Sequence, residues 1–157
     1  MMVSMSILSS SPEATFAVGQ EIGRRLLGQR GLVYLTGDIG AGKTAISKGI
    51  VSGYGYPGRV TSPTFSLVNR YVHGDKCIFH MDLYRLSDAD ELFEIGFEEM
   101  AAAPHPVLIE WPEILNDEGF EPILVIDLAR TEDESLRKIT LSSKDERLIA
   151  GLDAFVT

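Results

Sequence analysis

Residues 32–44 constrain the fold of this chain more than any other stretch. They read Leu-Val-Tyr-Leu-Thr-Gly-Asp-Ile-Gly-Ala-Gly-Lys-Thr, so that four residues separate Gly37 from the triplet Gly42-Lys43-Thr44. This spacing is that of a P-loop, which joins a strand to a helix around a phosphate group. A glycine-rich turn can match by accident, but here the strand, loop and helix signals follow in the required order. The stretch therefore predicts a nucleotide phosphate site in an α/β fold.

Each residue type in this loop suits one part of a phosphate chain. The glycines at positions 37, 40 and 42 can take positive φ and turn backbone N–H groups inward as an anion nest, and the following helix adds its positive end. Lys43 can reach the β- and γ-phosphates as a point charge, and the Thr44 hydroxyl is a hard oxygen ligand suited to Mg²⁺. We expect nucleotide contacts from the whole loop and the start of its helix, namely Gly37, Asp38, Ile39, Gly40, Ala41, Gly42, Lys43, Thr44 and Ala45.

Length and charge narrow the class of protein. With 157 residues the chain is expected to form one domain, residues 1–157, with a core of its own. Its net charge of −9, from 14 Lys and Arg against 23 Asp and Glu, disfavours direct nucleic-acid binding, which usually needs a basic face. The single cysteine, Cys77, excludes an intramolecular disulfide framework. No signal-peptide pattern or long apolar run is found, so we expect a soluble cytoplasmic protein.

Two further predicted strands end on carboxylates. Residues 77–82 alternate so that His80 and Asp82 share one face, and residues 107–110 form a buried strand that ends at Glu110. Because strand ends meet at the ligand-binding crevice of an open α/β sheet, both acids can face one Mg²⁺ site, and either suits the Walker B role. Glu110 could alternatively orient or deprotonate the attacking water. His80 alone is more simply a structural, hydrogen-bonded histidine.

The rest of the chain predicts the elements that surround this site. Residues 3–8 favour an edge strand, and Pro12 begins an amphipathic helix. Residues 121–130 and 136–142 predict an antiparallel hairpin. A capping box at residues 87–90 opens a helix whose buried side we expect to contain Leu92, Phe93, Ile95 and Phe97. The predicted fold class is α/β: a P-loop NTPase-like three-layer fold, with a mixed parallel and antiparallel central sheet flanked by helices.

A hydroxyl-rich loop follows the P-loop helix. It contains Thr61, Ser62 and Thr64, and Pro63 forces an extended backbone at the residue before it. Nucleotide-sensing switch segments lie at this place in P-loop proteins, because hydroxyls there can reach Mg²⁺ or the γ-phosphate. An ordinary Ser/Thr/Pro turn explains the composition equally well.

Four motifs in this order resemble the TsaE (YjeE) family of small bacterial P-loop ATPases. They are Gly-Asp-Ile-Gly-Ala-Gly-Lys-Thr at 37–44, Ser-Pro-Thr-Phe at 62–65, His-Met-Asp-Leu-Tyr-Arg-Leu at 80–86 and Ile-Glu-Trp-Pro at 109–112. The resemblance implies a Mg²⁺-dependent ATPase, which converts ATP to ADP. It also implies work with TsaB and TsaD in making the threonylcarbamoyladenosine modification of tRNA, with tRNA reached only through that complex and no role for a membrane. Because no arginine finger is evident in the sequence, we expect the basal activity of the ATPase to be low.

The resemblance also assigns roles to residues. Thr44 and Glu110 would ligate Mg²⁺, and Asp82 would support the metal or the attacking water. Thr64 would belong to the switch loop. The catalytic set would consist of Lys43, Thr64, Asp82 and Glu110. The family's adenine pocket draws on the segment before the first helix and on the C-terminal strands, which implies contacts from Pro12, Thr15 and Arg137.

Three other functions remain open at this stage. A small-molecule P-loop kinase would bring several arginines over the phosphate from a lid, whereas Arg59, Arg70 and Arg85 are scattered. A GTP-dependent switch would carry an Asn-Lys-x-Asp string, which is absent from the sequence, so adenine is favoured. A nucleotide-binding subunit without significant turnover fits the same motifs.

Overall fold

The computed structural model describes residues 2–63 and 67–156. Thr64, the predicted switch-loop residue, lies outside these residues. The strands are β1 (Val3–Ser9), β2 (Gly31–Gly37), β3 (Val68–His73), β4 (Lys76–Asp82), β5 (Pro106–Glu110), β6 (Pro122–Arg130) and β7 (Arg137–Ser143). The α-helices are α1 (Pro12–Arg25), α2 (Lys43–Gly53), α3 (Ala89–Glu94) and α4 (Phe97–Ala102), and short 3₁₀ turns occur at Pro112–Leu115, Glu146–Leu148 and Leu152–Phe155.

The strands form one mixed sheet with the P-loop strand at its centre. Their order is β1-β7-β6-β2-β5-β4-β3. β2 is parallel to both its neighbours, β5 and β6, and β4 is parallel to β5. The pairs β1–β7, β6–β7 and β3–β4 are antiparallel. The predicted hairpin and the mixed sheet are therefore confirmed.

Two hydrophobic clusters, one on each face of the sheet, complete the three layers. The first packs α1 and α2 against the sheet through residues such as Ile22, Ile46 and Leu35. The second packs α3 and α4 on the opposite face around Leu92 and Phe97. Side chains alternate along each strand, so the same strands supply both clusters. This arrangement confirms the predicted P-loop NTPase-like fold class.

The start of α1 is determined by local chemistry. Ser11 is the N-cap, and its hydroxyl accepts a hydrogen bond from the backbone N–H of Ala14 at 3.0 Å. Pro12 takes the first helical position, where its missing N–H is not needed. The last turn contains Arg24 and Arg25, which complement the negative end of the helix dipole. The cap at Ser11 and the proline after it therefore fix where α1 begins.

Helices α1 and α2 pack unusually closely because glycines face each other across the contact. A Cβ atom added at Gly49 would collide with the backbone carbonyl oxygen of Phe16, and one at Gly53 with that of Gln20. A Cβ atom added at Gly19 or Gly23 of α1 would likewise collide with the backbone of α2. The helix that carries the P-loop lysine is thus held directly against the backbone of α1.

We predict that Gly49→Ala destabilises the protein by about 1–3 kcal/mol, because overpacking forces the two helix backbones apart. Alanine has the higher helix propensity, so the expected sign opposes the local preference of α2. Urea unfolding measures the change, and Ser52→Ala on the same helix is the matched control. A Gly49→Ala protein as stable as the control would contradict the close helix contact.

One expectation about the helix after residue 88 is wrong. Ile95 was expected on the buried side, but it is 42% exposed. The helix is interrupted: Gly96 has φ 87° and separates α3 from α4, so Ile95 falls at the break rather than on a continuous apolar stripe. Leu92 and Phe97 are buried as expected, and Phe93 packs against their cluster.

Within residues 2–63 and 67–156, none of the helices combines the length and the apolar content that a membrane span requires.

Candidate functional site

A cavity of about 1050 Å³ opens at the edge of the sheet where the parallel strands end. Its volume is at the upper end of the range for small-molecule sites. The start of α1, the P-loop, the ends of β4 and β5 and the connection between β6 and β7 form its walls. The predicted site residues that line it are Pro12, Thr15, Ile39, Gly40, Gly42, Lys43, Thr44, Ala45, Asp82, Glu110 and Arg137.

Three predicted loop residues do not line the cavity. Gly37 ends β2, where its Cα lies against the backbone of Leu128. Asp38 is exposed, and its carbonyl oxygen accepts a turn hydrogen bond from the N–H of Ala41. The Ala41 side chain is fully buried in the core below α1 and α2. The side chains of Asp38 and Ala41 therefore do not face the cavity, and contact with a ligand through the backbone N–H groups at these three positions stays a prediction.

The P-loop backbone has the predicted conformation. Gly37, Gly40 and Gly42 have φ values of 136°, 83° and 113°, in the region that only glycine enters easily. Gly42 is the N-cap of α2, and no side chain caps that end of the helix. The first N–H groups of α2 are consequently available to an anion in the cavity.

Lys43 is held in an unsatisfied state that an anionic ligand would relieve. The residue is only 7% exposed, and its Nζ has no hydrogen-bond partner among the described residues. The ammonium lies 3.6 Å from the centre of the Trp111 ring, a cation–π contact. Burial lowers the pKa of Lys43, and the nearby carboxylates of Glu110 and Asp82 oppose that shift. A phosphate oxygen would supply the missing acceptor.

Trp111 is itself held in an unusual backbone conformation. Its φ and ψ are 57° and 58°, the left-handed region that is rare for a bulky residue, and Pro112 follows it immediately. The Tyr84 ring packs against the Trp111 ring at a centroid distance of 4.9 Å. Such strain persists where the surrounding structure enforces it, often at functional sites. Here it turns the chain sharply after β5 and places the ring over Lys43.

The two predicted acids lie side by side. Asp82 and Glu110 are the last residues of β4 and β5 and are direct partners in the parallel register. Glu110 is buried, whereas Asp82 is partly exposed and accepts a hydrogen bond from the backbone N–H of Tyr84 at 3.0 Å. Both face the cavity with Thr44. The parallel register thus brings the two acids together, and the start of α2 places Thr44 on the same cavity.

These oxygen donors fit Mg²⁺ but not a metal held by protein alone. In the part of the chain that the structure describes, no group of three or more His, Cys, Asp or Glu side chains could hold a metal ion. Mg²⁺ in nucleotide sites uses one or two carboxylates and completes its shell with phosphate oxygens and water. Asp82, Glu110 and the Thr44 hydroxyl match that requirement.

His80 forms a buried hydrogen bond with Glu110. The distance from Nε2 to Oε2 is 2.7 Å, and His80 is 1% exposed. With Glu110 ionised, the ring N–H donates and the carboxylate accepts. The other ring nitrogen, Nδ1, is buried and finds no partner within the described ranges. The prediction that His80 is hydrogen-bonded is confirmed, and its partner is one of the predicted metal ligands.

We predict that His80→Leu destabilises the protein by about 1–3 kcal/mol, because it leaves the buried Glu110 carboxylate without its donor. His80→Gln, which keeps an N–H donor at nearly the same reach, should lose clearly less. Urea unfolding at neutral pH compares the two variants with the wild type. Equal stability of His80→Leu and the wild type would contradict the importance of this bond.

The three residues that the resemblance assigns to the adenine pocket all line the cavity, but they differ in how many of their polar groups are free to bind a ligand. The Thr15 hydroxyl is buried and already shares a 2.7 Å hydrogen bond with the Ser9 hydroxyl. Nη1 of Arg137 donates to the carbonyl oxygens of Glu134 and Leu136 at 2.8 and 3.1 Å. Pro12 offers only an apolar surface. Of the three, Pro12 and the remaining donors of Arg137 are best placed to contact a base.

Other lining residues were missed from the sequence. Ser9, Ser10 and Ser11 border the cavity before α1, and Glu134 and Ser135 border it from the β6–β7 connection. The only sequence signal for Glu134 and Ser135 was the polar composition of the β6–β7 connection, which by itself does not distinguish a cavity wall from a solvated turn. Ser62 was not missed: it belongs to the hydroxyl-rich loop predicted as a switch segment, and it also lines the cavity.

A protein-family comparison decides which family carries this arrangement. The model described as "Threonylcarbamoyl adenosine biosynthesis protein TsaE" matches residues 9–139. The chain belongs to the TsaE family. That match includes all four motifs, the P-loop and the two strand-end acids, and it ends in β7.

Individual relatives agree with this assignment. A TsaE protein of Treponema pallidum is 37% identical over 138 residues, which cover 88% of this chain and 100% of the relative. The TsaE protein of Bacillus subtilis is 34% identical over 113 residues, or 72% of this chain and 70% of the relative. A TsaE protein of Haemophilus influenzae is 46% identical over 82 residues, which span only 52% of each chain. The fold matches the crystal structure of Bacillus subtilis YdiB, with a TM-score of 0.75, 26% identity and coverage of 100% and 99% of the two chains.

Proposed function

We propose that this TsaE-family chain is the Mg²⁺-dependent, ATP-binding and slowly hydrolysing subunit required for threonylcarbamoyladenosine modification of tRNA, acting with a TsaB–TsaD complex. One observation carries the nucleotide part of the proposal. Lys43 is buried without an acceptor at the start of an uncapped helix, beside two carboxylates, in a cavity of nucleotide size. The family carries the part that concerns tRNA modification.

Phosphate binding follows from the P-loop geometry. The uncapped N-terminus of α2 and the positive-φ glycines present backbone N–H groups to the β-phosphate. Lys43 would leave the Trp111 ring and donate to the β- and γ-phosphate oxygens. The charge of the phosphates would remove the cost of burying the ammonium without a partner.

The carboxylates supply the other half of the chemistry. Thr44, Asp82 and Glu110 would hold Mg²⁺, which when bound screens the negative charge of the phosphates. Glu110 is the better placed of the two acids to keep a fixed position, because His80 holds its carboxylate in the protein interior. Asp82 is more exposed and suits contact through water. Either acid can orient the water that attacks in line with the γ-phosphate.

Slow basal turnover is expected from what the site lacks. Arg137 is the sole arginine lining the cavity within the described residues, and it donates to carbonyl oxygens of its own hairpin connection. An arginine that neutralises charge at the γ-phosphate raises phosphoryl-transfer rates by orders of magnitude. A partner that completes the site would therefore accelerate hydrolysis. Contact with tRNA would be indirect, in keeping with a net charge of −9.

Phosphate release measured with ATP and with GTP tests this proposal. We expect slow, Mg²⁺-dependent release from ATP, less from GTP, and an increase when a TsaB–TsaD complex is added. Trp111 fluorescence should follow nucleotide binding in the same samples, because Lys43 would move away from its ring. Absence of nucleotide binding would contradict the proposal, and binding without release in the presence of the partners would indicate a structural subunit instead.

A further inference from the structure

Arg130 ends the strand next to the P-loop strand. β6 runs parallel to β2, with Gly37 opposite Leu128, so Arg130 lies two residues beyond the start of the P-loop. Leu128 belongs to the cluster under α1 and α2, and side chains alternate along a strand. Arg130 is therefore on the same face of the sheet as the P-loop and its helix.

The guanidinium of Arg130 reaches the tip of the P-loop. Its Nη2 donates to the carbonyl oxygen of Ile39 at 3.2 Å. The absence of a side chain at Gly40 makes room for this contact, because a Cβ there would collide with Nη2. Ile39 is 73% exposed, so its side chain does little to hold the loop in place.

The register places Arg130 directly opposite Arg137 of β7. Like charges directly opposite each other destabilise an antiparallel pair. The two guanidinium groups turn to different acceptors: Arg130 donates to the P-loop, and Arg137 donates to Glu134 and Leu136 in the hairpin connection. Repulsion between the two arginines therefore favours the orientation in which Arg130 reaches the P-loop.

We propose that Arg130 is a positioning residue for nucleotide binding, which holds the P-loop tip in the phosphate-accepting shape through the Ile39 carbonyl oxygen. The inference rests on the proposed function for the identity of the ligand. A loop with three positive-φ glycines has many conformations to lose when it closes around phosphates. A fixed donor on the outside of the loop removes part of that loss before the ligand arrives.

Calorimetric titration of ADP and ATP into Arg130 variants tests the inference. Arg130→Met keeps the aliphatic stem and loses the donor, so we expect the dissociation constants of both nucleotides to rise about threefold to tenfold. Arg130→Lys keeps a cationic donor and should bind more tightly than the Met variant. Arg24→Ala, which removes an exposed arginine on α1, should bind as the wild type does. Thermal unfolding of all three should match the wild type, because the contact is exposed.

Two results would overturn the inference. Wild-type affinities in Arg130→Met would show that the loop holds its shape without the hydrogen bond from Arg130 to Ile39. A loss confined to ATP would show that Arg130 acts on the γ-phosphate directly, since an effect through the loop must weaken both nucleotides. The wild type separates this test from the proposed function: failure of the wild type to bind ADP contradicts the proposed function, whereas equal binding by wild type and Met variant contradicts only the role of Arg130.

Discussion

Lys43→Ala is expected to lower ATP turnover by at least about 100-fold, since a preorganised charge at developing negative charge is worth roughly 10²–10³ in rate. The wild-type ammonium is buried and has no acceptor among the described residues, so its hydrogen bonds form only when phosphates bind. Its removal should also weaken ATP binding, because Lys43 is predicted to touch both the β- and γ-phosphates. Phosphate release under saturating Mg²⁺ and titration with ATP measure the two effects separately.

Stability measurements separate this effect from misfolding. Lys43→Met replaces a desolvated ammonium by an apolar side chain of similar length, so it should unfold at the wild-type temperature or above while losing turnover. Lys144→Ala removes an exposed lysine that pairs with Glu121 on the surface, and it should leave turnover unchanged. Unaltered ATP binding and hydrolysis in Lys43→Ala would show that the loop is not a nucleotide site.

Glu110→Gln is expected to lower hydrolysis by about 10²–10³-fold, because it removes a charge from the metal and from the attacking water. The amide oxygen of glutamine can still accept from Nε2 of His80, so folding should be preserved. ADP binding without Mg²⁺ should stay close to that of the wild type. Phosphate release at increasing Mg²⁺ concentrations measures whether added metal restores any of the rate.

Asp82→Asn is the matched comparison for Glu110→Gln, since the two acids occupy neighbouring positions at the ends of β4 and β5. Asp82 is more exposed and accepts from the backbone N–H of Tyr84, which asparagine can also do. A smaller loss of turnover in Asp82→Asn is expected if Glu110 has the central role. Wild-type hydrolysis in Glu110→Gln would contradict the assignment of this acid to the reaction.

Local chemistry made the P-loop predictable. The signs of φ at Gly37, Gly40 and Gly42 follow from the loop type, and the strand before it and the helix after it follow from residue pattern alone. Strand periodicity also predicted that Asp82 and Glu110 lie at one edge of the sheet. They do, because β4 is parallel to β5 and β5 is parallel to β2. These features depend on residues close in sequence or on general rules of open α/β sheets.

Contacts between distant residues were not predictable in the same way. The Lys43–Trp111 contact requires Trp111 to adopt a left-handed backbone, which no sequence rule expects for tryptophan. The glycines of α1 and α2 are not unusual in the sequence of either helix. Their close contact becomes visible only when both helices are packed on the sheet. Both contacts depend on tertiary placement, which overrides local preference. The exposure of Ile95 has a local cause, the helix break at Gly96, which the prediction from periodicity overlooked.

Threonylcarbamoyladenosine formed per TsaB–TsaD complex, with tRNA in excess, tests the proposed role most directly. With the wild-type chain, ATP, Mg²⁺ and an activated threonylcarbamoyl donor, we expect the amount of modified tRNA to exceed the amount of complex many times. With Lys43→Ala in its place, the amount of modified tRNA should fall far below the wild-type amount. A wild-type amount with Lys43→Ala, or with the chain omitted, would contradict the proposal that this protein is the ATP-hydrolysing subunit required for the modification.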